Sequence, residues 1–93
     1  MREKEIESEL YRAARKHGGR AAKFVSPGWS GVPDRIVLLP GGKFAFVELK
    51  APGKKMRANQ IKRKRQLELL GFKVYCVCGK EQIEGVLDDI EQG

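Results

Sequence analysis

The stretch that most restricts the fold is "DRIVLLPGGKFAFVELK", residues 34–50. Two runs rich in β-branched and aromatic residues flank a Pro-Gly-Gly turn, which reads as a β-hairpin. Charge sits at its open end, with Asp34 at the mouth of the first strand and Glu48 and Lys50 at the end of the second. Alternation puts Phe44, Phe46, Glu48 and Lys50 on one face and Ala45, Val47 and Leu49 on the other. Two registers are open. A two-residue turn at Gly41-Gly42 sets Arg35 opposite Glu48, whereas a three-residue connection over 40–42, with a glycine in the left-handed region, sets Asp34 there. A slip of one residue exchanges the faces, and the three-residue connection is the expected one.

In that register Asp34 and Glu48 direct two carboxylates at one point, with the Lys50 amine beside them. Carboxylates this close repel each other unless a cation lies between them. Oxygen donors suit Mg²⁺ or Mn²⁺, which keep several waters and accept phosphate oxygens in the remaining positions. Such an ion makes a bound water easier to deprotonate and stabilises charge on phosphoryl oxygens. Lys50 is suited to orient the attacking water, to help deprotonate it, or to neutralise that charge, and the sequence does not choose among the three. The bland alternative is a charged hairpin end with a weak Glu48–Lys50 surface pair.

The flanks complete an α-β-β-β-α-β-α order. Residues 3–17 have helical periodicity, with Ile6, Leu10, Ala13, Ala14 and His17 in one arc and Gly18-Gly19 as a stop. "AAKFV" is a short strand and "SPGWSGVP" a loop dense in Gly, Pro and Ser. A helix is expected from about Arg57 to Leu70, stopped by Gly71. "FKVYCVC" reads as a buried strand. A closing amphipathic helix runs from Lys80 to Glu91 with Ile83, Val86, Leu87 and Ile90 inward. In the 57–70 helix Met56, Gln60, Leu67 and Leu70 share a face, so Gln60 is directed inward and needs a polar partner there.

Ninety-three residues are expected to form one domain, residues 1–93, and oligomerisation would help so small a core. Nineteen Lys and Arg against twelve Asp and Glu give a net charge of +7, which favours polyanionic partners. The distribution is sharper: Lys50 to Arg65 holds eight basic residues and no acid, while the acids gather near the two ends. That pattern points to phosphate contacts by Lys54, Lys55, Arg57, Lys62 and Arg63. Arg63 shares the inward face with Gln60 and is a candidate to line the site, and Arg65 points outward. Ser26 and Ser30 offer hydroxyls to a phosphate just ahead of Asp34. Trp29 is read as a packed loop anchor, the alternative being an exposed ring that stacks on an unpaired base or fills a dimer contact. Cys76 and Cys78 point to one face, cannot easily bridge, and with a single His do not make a zinc site. No signal sequence or apolar run of membrane-spanning length is visible, so an intracellular location is expected and no membrane partner.

The string "GVPDRIVLLPGGKFAFVELKAPGKKMRANQ", continuing to Leu67 and Gly71, resembles the virus-type replication-repair nuclease domain, a compact branch of the PD-(D/E)xK, restriction-endonuclease-like superfamily. The resemblance rests on G-x-P-D at 31–34, E-L-K at 48–50 and Gln60, and it covers nearly the whole chain. It implies a mixed central sheet flanked by helices, Mg²⁺ or Mn²⁺, and hydrolysis of DNA phosphodiesters. It further implies Asp34 and Glu48 as metal ligands, the Leu49 carbonyl as a further ligand, Lys50 as the catalytic lysine and Gln60 as a catalytic-site glutamine. Many superfamily members add an acid from the first helix; the arc favours Glu7 here, with Glu3 second. Minimal members are similar to Holliday-junction resolvases, which act as symmetric homodimers. A structure-selective endonuclease on branched DNA is therefore expected. The other readings are a catalytically idle DNA-binding module and a sequence-specific restriction-type enzyme, and the chain has no recognition domain to serve the latter.

Overall fold

A computed structural model describes residues 2–93. Helix α1 (Glu3–Lys16) is followed by strands β1 (Arg20–Lys23), β2 (Arg35–Leu39) and β3 (Lys43–Leu49), helix α2 (Ala58–Leu69), strand β4 (Val74–Val77) and, after one 3₁₀ turn, helix α3 (Ile83–Gln92). The sheet order is β1-β2-β3-β4. The first two pairings are antiparallel and β3–β4 is parallel, with α2 as the crossover. This is the expected restriction-endonuclease-like α/β order.

Helices α1 and α3 pack on one face of the sheet. Ile6, Leu10, Ala13 and Ala14 of α1 and Ile83, Leu87 and Ile90 of α3 meet Val37, Ala45, Val47 and Leu49 in the main core. Helix α2 lies on the other face, where Leu67 joins Phe46 and Val74, with Phe24, Ile36 and Phe44 packed around them. Burying a Leu or Ile side chain contributes about 1.5–3 kcal/mol, so the α1/α3 side supplies most of the stability. Only Gln60 and Leu67 of α2 are buried. Leu70, expected on the inward face, is exposed because the helix ends at Leu69 and Leu70 is its cap.

The hairpin adopts the three-residue connection. Leu39 pairs with Lys43 and Arg35 with Val47, which continues to Asp34 opposite Glu48. Gly41 and Gly42 both have positive φ, +82° and +73°, a conformation that residues with a Cβ adopt at a cost. The face assignment follows: Ala45, Val47 and Leu49 enter the main core, while Glu48 lies on the α2 side with Phe44 and Phe46. Among the described residues no helix is long and apolar enough to cross a membrane.

Candidate active site

The mouth of the hairpin is closed by two reciprocal hydrogen bonds. The Asp34 backbone N–H donates to Glu48 Oε1 at 3.2 Å, and the Leu49 N–H donates to Asp34 Oδ1 at 3.1 Å. Each carboxylate is thus fixed by the other strand's backbone and extends the ladder past the last regular pair. Glu48 is buried, only 2% exposed. Its Oε2 accepts a hydrogen bond from Gln60 Nε2 at 2.9 Å and lies 3.4 Å from Lys50 Nζ. Gln60 has a second task, because its Oε1 accepts the Arg57 N–H at 2.8 Å and caps the start of α2. One glutamine therefore joins the helix N-terminus to the buried acid, which supplies the polar partner that its inward direction requires.

The electrostatics are costly without a cation. Burial pushes the Asp34 carboxyl above its ordinary value, against the Leu49 N–H bond and the Arg35 charge, which pull it down. Glu48 is also raised, first by burial and then by the Asp34 charge, with Lys50 offsetting part of this. Paired acids that resist ionisation mark a place where a bound cation would be strongly favoured. The donor set fits a hard divalent ion: two carboxylates in a hollow of about 370 Å³ lined also by Leu49, Lys50, Gln60, Arg57 and Glu3.

Arg35 organises the rear of this hollow. It lies on the apolar face of β2, with Val37 and Leu39, and is almost fully buried. Its Nη1 donates to the Asp34 carbonyl at 2.9 Å and lies 3.5 Å from Asp34 Oδ2, while Nη2 donates to Glu7. This bears on the expectation for α1. Glu7, favoured from the helical arc as the extra acid, is held as the counter-ion of a buried arginine, and Glu3 is the α1 acid that lines the hollow. Glu3, Asp34 and Glu48 do not gather within 4.8 Å of one another; the one group of three such ligands among the described residues is His17, Glu84 and Asp88, away from the hairpin mouth. The pairing was legible in principle, since an arginine on the core face of a strand demands a carboxylate from the helix packed there.

The basic residues divide. Arg57 lines the hollow, and Lys54, Lys55 and Lys62 are exposed with no ion-pair partner among the described residues. Arg63 does not line the site. Its Nε donates to the Ser30 carbonyl at 2.6 Å, its Nη1 donates to Gln66, and its guanidinium lies 4.9 Å from the Trp29 ring centroid. Ser26 and Ser30 belong to that loop and lie outside the lining of the hollow. Cys76 stands beside Glu48 in the β3–β4 register, and both cysteines are free. Hollows of similar size beside the hairpin turn and between α1 and β1 contain no paired acids.

A solved structure described as "VRR_NUC domain" superposes with a TM-score of 0.84, covering 92% of this chain and 94% of that one at 26% identity. A protein of Acyrthosiphon pisum secondary endosymbiont phage 1, described as "Putative nuclease p44", is 53% identical over 74 residues, 80% of each chain. The chain belongs to the VRR_NUC nuclease family. No family model matches the sequence. The G-x-P-D turn at 31–34 and the E-L-K strand end at 48–50 converge at the hairpin mouth.

Proposed function

We propose that the ninety-three residues act as one divalent-metal-dependent, structure-selective DNA endonuclease, similar to a Holliday-junction resolvase and working as a homodimer inside the cell. The observation that carries the reading is the reciprocal tie between Asp34 and Glu48, with Lys50 at 3.4 Å from the same carboxylate. In this reading Asp34, Glu48 and the Leu49 carbonyl hold Mg²⁺ or Mn²⁺, and Glu3 lines the same hollow. The ion, when bound, supplies positive charge for the phosphoryl oxygens and lowers the pKa of a water.

The chain's own groups do the rest. Gln60 holds the Glu48 carboxylate by a hydrogen bond, and Arg35 fixes the Asp34 backbone, so neither acid must reorganise as charge builds. Lys50, as the partner of Glu48, is placed to neutralise negative charge on the phosphate while water attacks phosphorus and one P–O ester bond breaks. The products are a phosphate monoester and a free hydroxyl. Arg57, Lys54, Lys55 and Lys62 contact backbone phosphates on either side. The basic residues contact backbone rather than base edges, so selectivity comes from DNA shape, and a two-fold dimer suits a four-way junction because two sites cut strands of matching polarity.

The test is cleavage of labelled four-way junction, flap and linear duplex with Mg²⁺, with Mn²⁺ and with chelator. The expected result is metal-dependent cutting, fastest on the junction, with Lys50→Ala retaining DNA affinity and losing roughly 10²-fold or more in rate. Equal rates on junction and duplex would contradict the structural selectivity. Binding without cutting by the native protein under every metal condition would identify an idle DNA-binding module instead.

A further inference from the structure

The loop from Ser26 to Pro33 carries the chain's single tryptophan at a partly exposed position. Trp29 is 38% exposed. A tryptophan kept only for packing is normally far more covered, since the indole is the largest apolar side chain available. The loop itself is firmly attached. The Trp29 N–H donates to the Ser26 carbonyl at 3.2 Å. Arg63 of α2 donates to the next carbonyl, that of Ser30, and stacks its guanidinium on the indole. Gly31, at φ +80°, passes so close to α2 that a Cβ would stand 2.7 Å from the Asn59 carbonyl oxygen. A partly exposed ring is thus held by a rigid support, two residues before Gly31 and Val32 enter the lining of the catalytic hollow.

We propose that Trp29 is a stacking platform for an exposed nucleobase, and so selects DNA whose duplex is interrupted near the cut. The inference rests on the reading of the hollow as a DNA nuclease site. Within a continuous duplex each base face is covered by its neighbours. At a branch, gap or flap, a terminal pair or unpaired base offers its π-face, and an aromatic ring accepts any base there. Arg63 restricts the ring's motion and places positive charge beside it, which suits a partner carrying a π-face and phosphates. This gives Arg63 a positioning role in place of the direct phosphate contact expected from its charge. Glycine and serine beside the ring, at Gly28 and Ser30, leave room for a planar partner.

Because there is one tryptophan, its emission reports on residue 29 alone. The native protein is titrated, in chelator to prevent cutting, with a covalently closed circular duplex and with the same duplex carrying a four-way junction or a one-nucleotide gap. The interrupted DNAs are expected to quench the emission and the closed duplex to leave it nearly unchanged. Trp29→Ala should weaken binding to interrupted DNA by about tenfold and to closed duplex by less than about twofold, with Trp29→Phe intermediate. Equal quenching by both kinds of DNA, or a Trp29→Ala variant that binds both like the native protein, overturns the proposal. So does an emission change on concentrating the protein without DNA, which would assign the ring to a contact between copies. Cleavage with Mn²⁺ is read separately: selective quenching without any cutting keeps the platform and rejects the nuclease reading, and cutting without selective quenching does the reverse.

Discussion

Asp34 and Glu48 are two carboxyls that burial makes harder to ionise, and pH reveals it. Both carboxyls are raised in the folded state, so the folded chain binds more protons than the unfolded chain above the ordinary carboxylate range near pH 4. Their contribution to stability is therefore present at low pH and falls as pH rises through the raised values. Asp34→Asn keeps an oxygen for the Leu49 N–H and removes the charge that raises Glu48. In metal-free protein that variant is expected to melt no lower than the native chain at neutral pH, and its melting temperature should fall less between pH 4 and 7. A steeper fall in the variant would contradict this account. Much of the pair was legible, because alternation along "KFAFVELK" fixes the face of Glu48. The choice between Glu7 and Glu3 was not, since both lie within or at the edge of one helical arc and only the buried Arg35, a contact across 28 residues, separates them.

The hairpin is the element that turns sequence into a site. Its three-residue connection depends on two glycines with positive φ, and it alone sets Asp34 rather than Arg35 opposite Glu48. Replacing both Gly41 and Gly42 by Val should penalise the positive-φ three-residue connection and favour slipped registers, in which the faces exchange. The expected outcome is loss of cleavage together with a destabilisation of about 2 kcal/mol or more, as apolar residues leave the core; unchanged activity would show that register is not the determinant. This element could be read from the chain because the Pro-Gly-Gly turn and the apolar alternation agree. Helix α2 was harder. Its apolar residues do not form a continuous stripe, so Gln60 and Leu67 were rightly placed inward while Leu70, past the last helical residue, was not. Arg63 was assigned by charge to phosphate, and only the fold reveals that Trp29 and Ser30 occupy it.

Across the whole molecule, charge is separated: an acid-free basic segment beside the hollow, and acids collected on α1 and α3. Neutralised phosphates release counter-ions, so the slope of log affinity against log salt is expected near −0.9 for each contact with duplex DNA. Replacing Lys54 and Lys55 by Ala should reduce the slope by about two, and Glu84→Gln on α3 should leave it unchanged. The fold also provides a second place where carboxylates meet a metal-binding side chain. His17 lies 2.9 Å from Glu84 and 3.1 Å from Glu91, which raise its pKa and fasten α1 to α3. That cluster is the natural control for the central claim, that Asp34 and Glu48 converge to grip a divalent ion. The measurement is calorimetric titration of Mn²⁺ into DNA-free protein. Native protein and His17→Gln are expected to bind the ion with release of protons, and Asp34→Asn and Glu48→Gln to lose that binding. Full Mn²⁺ affinity in Glu48→Gln, or its disappearance in His17→Gln alone, would contradict the account.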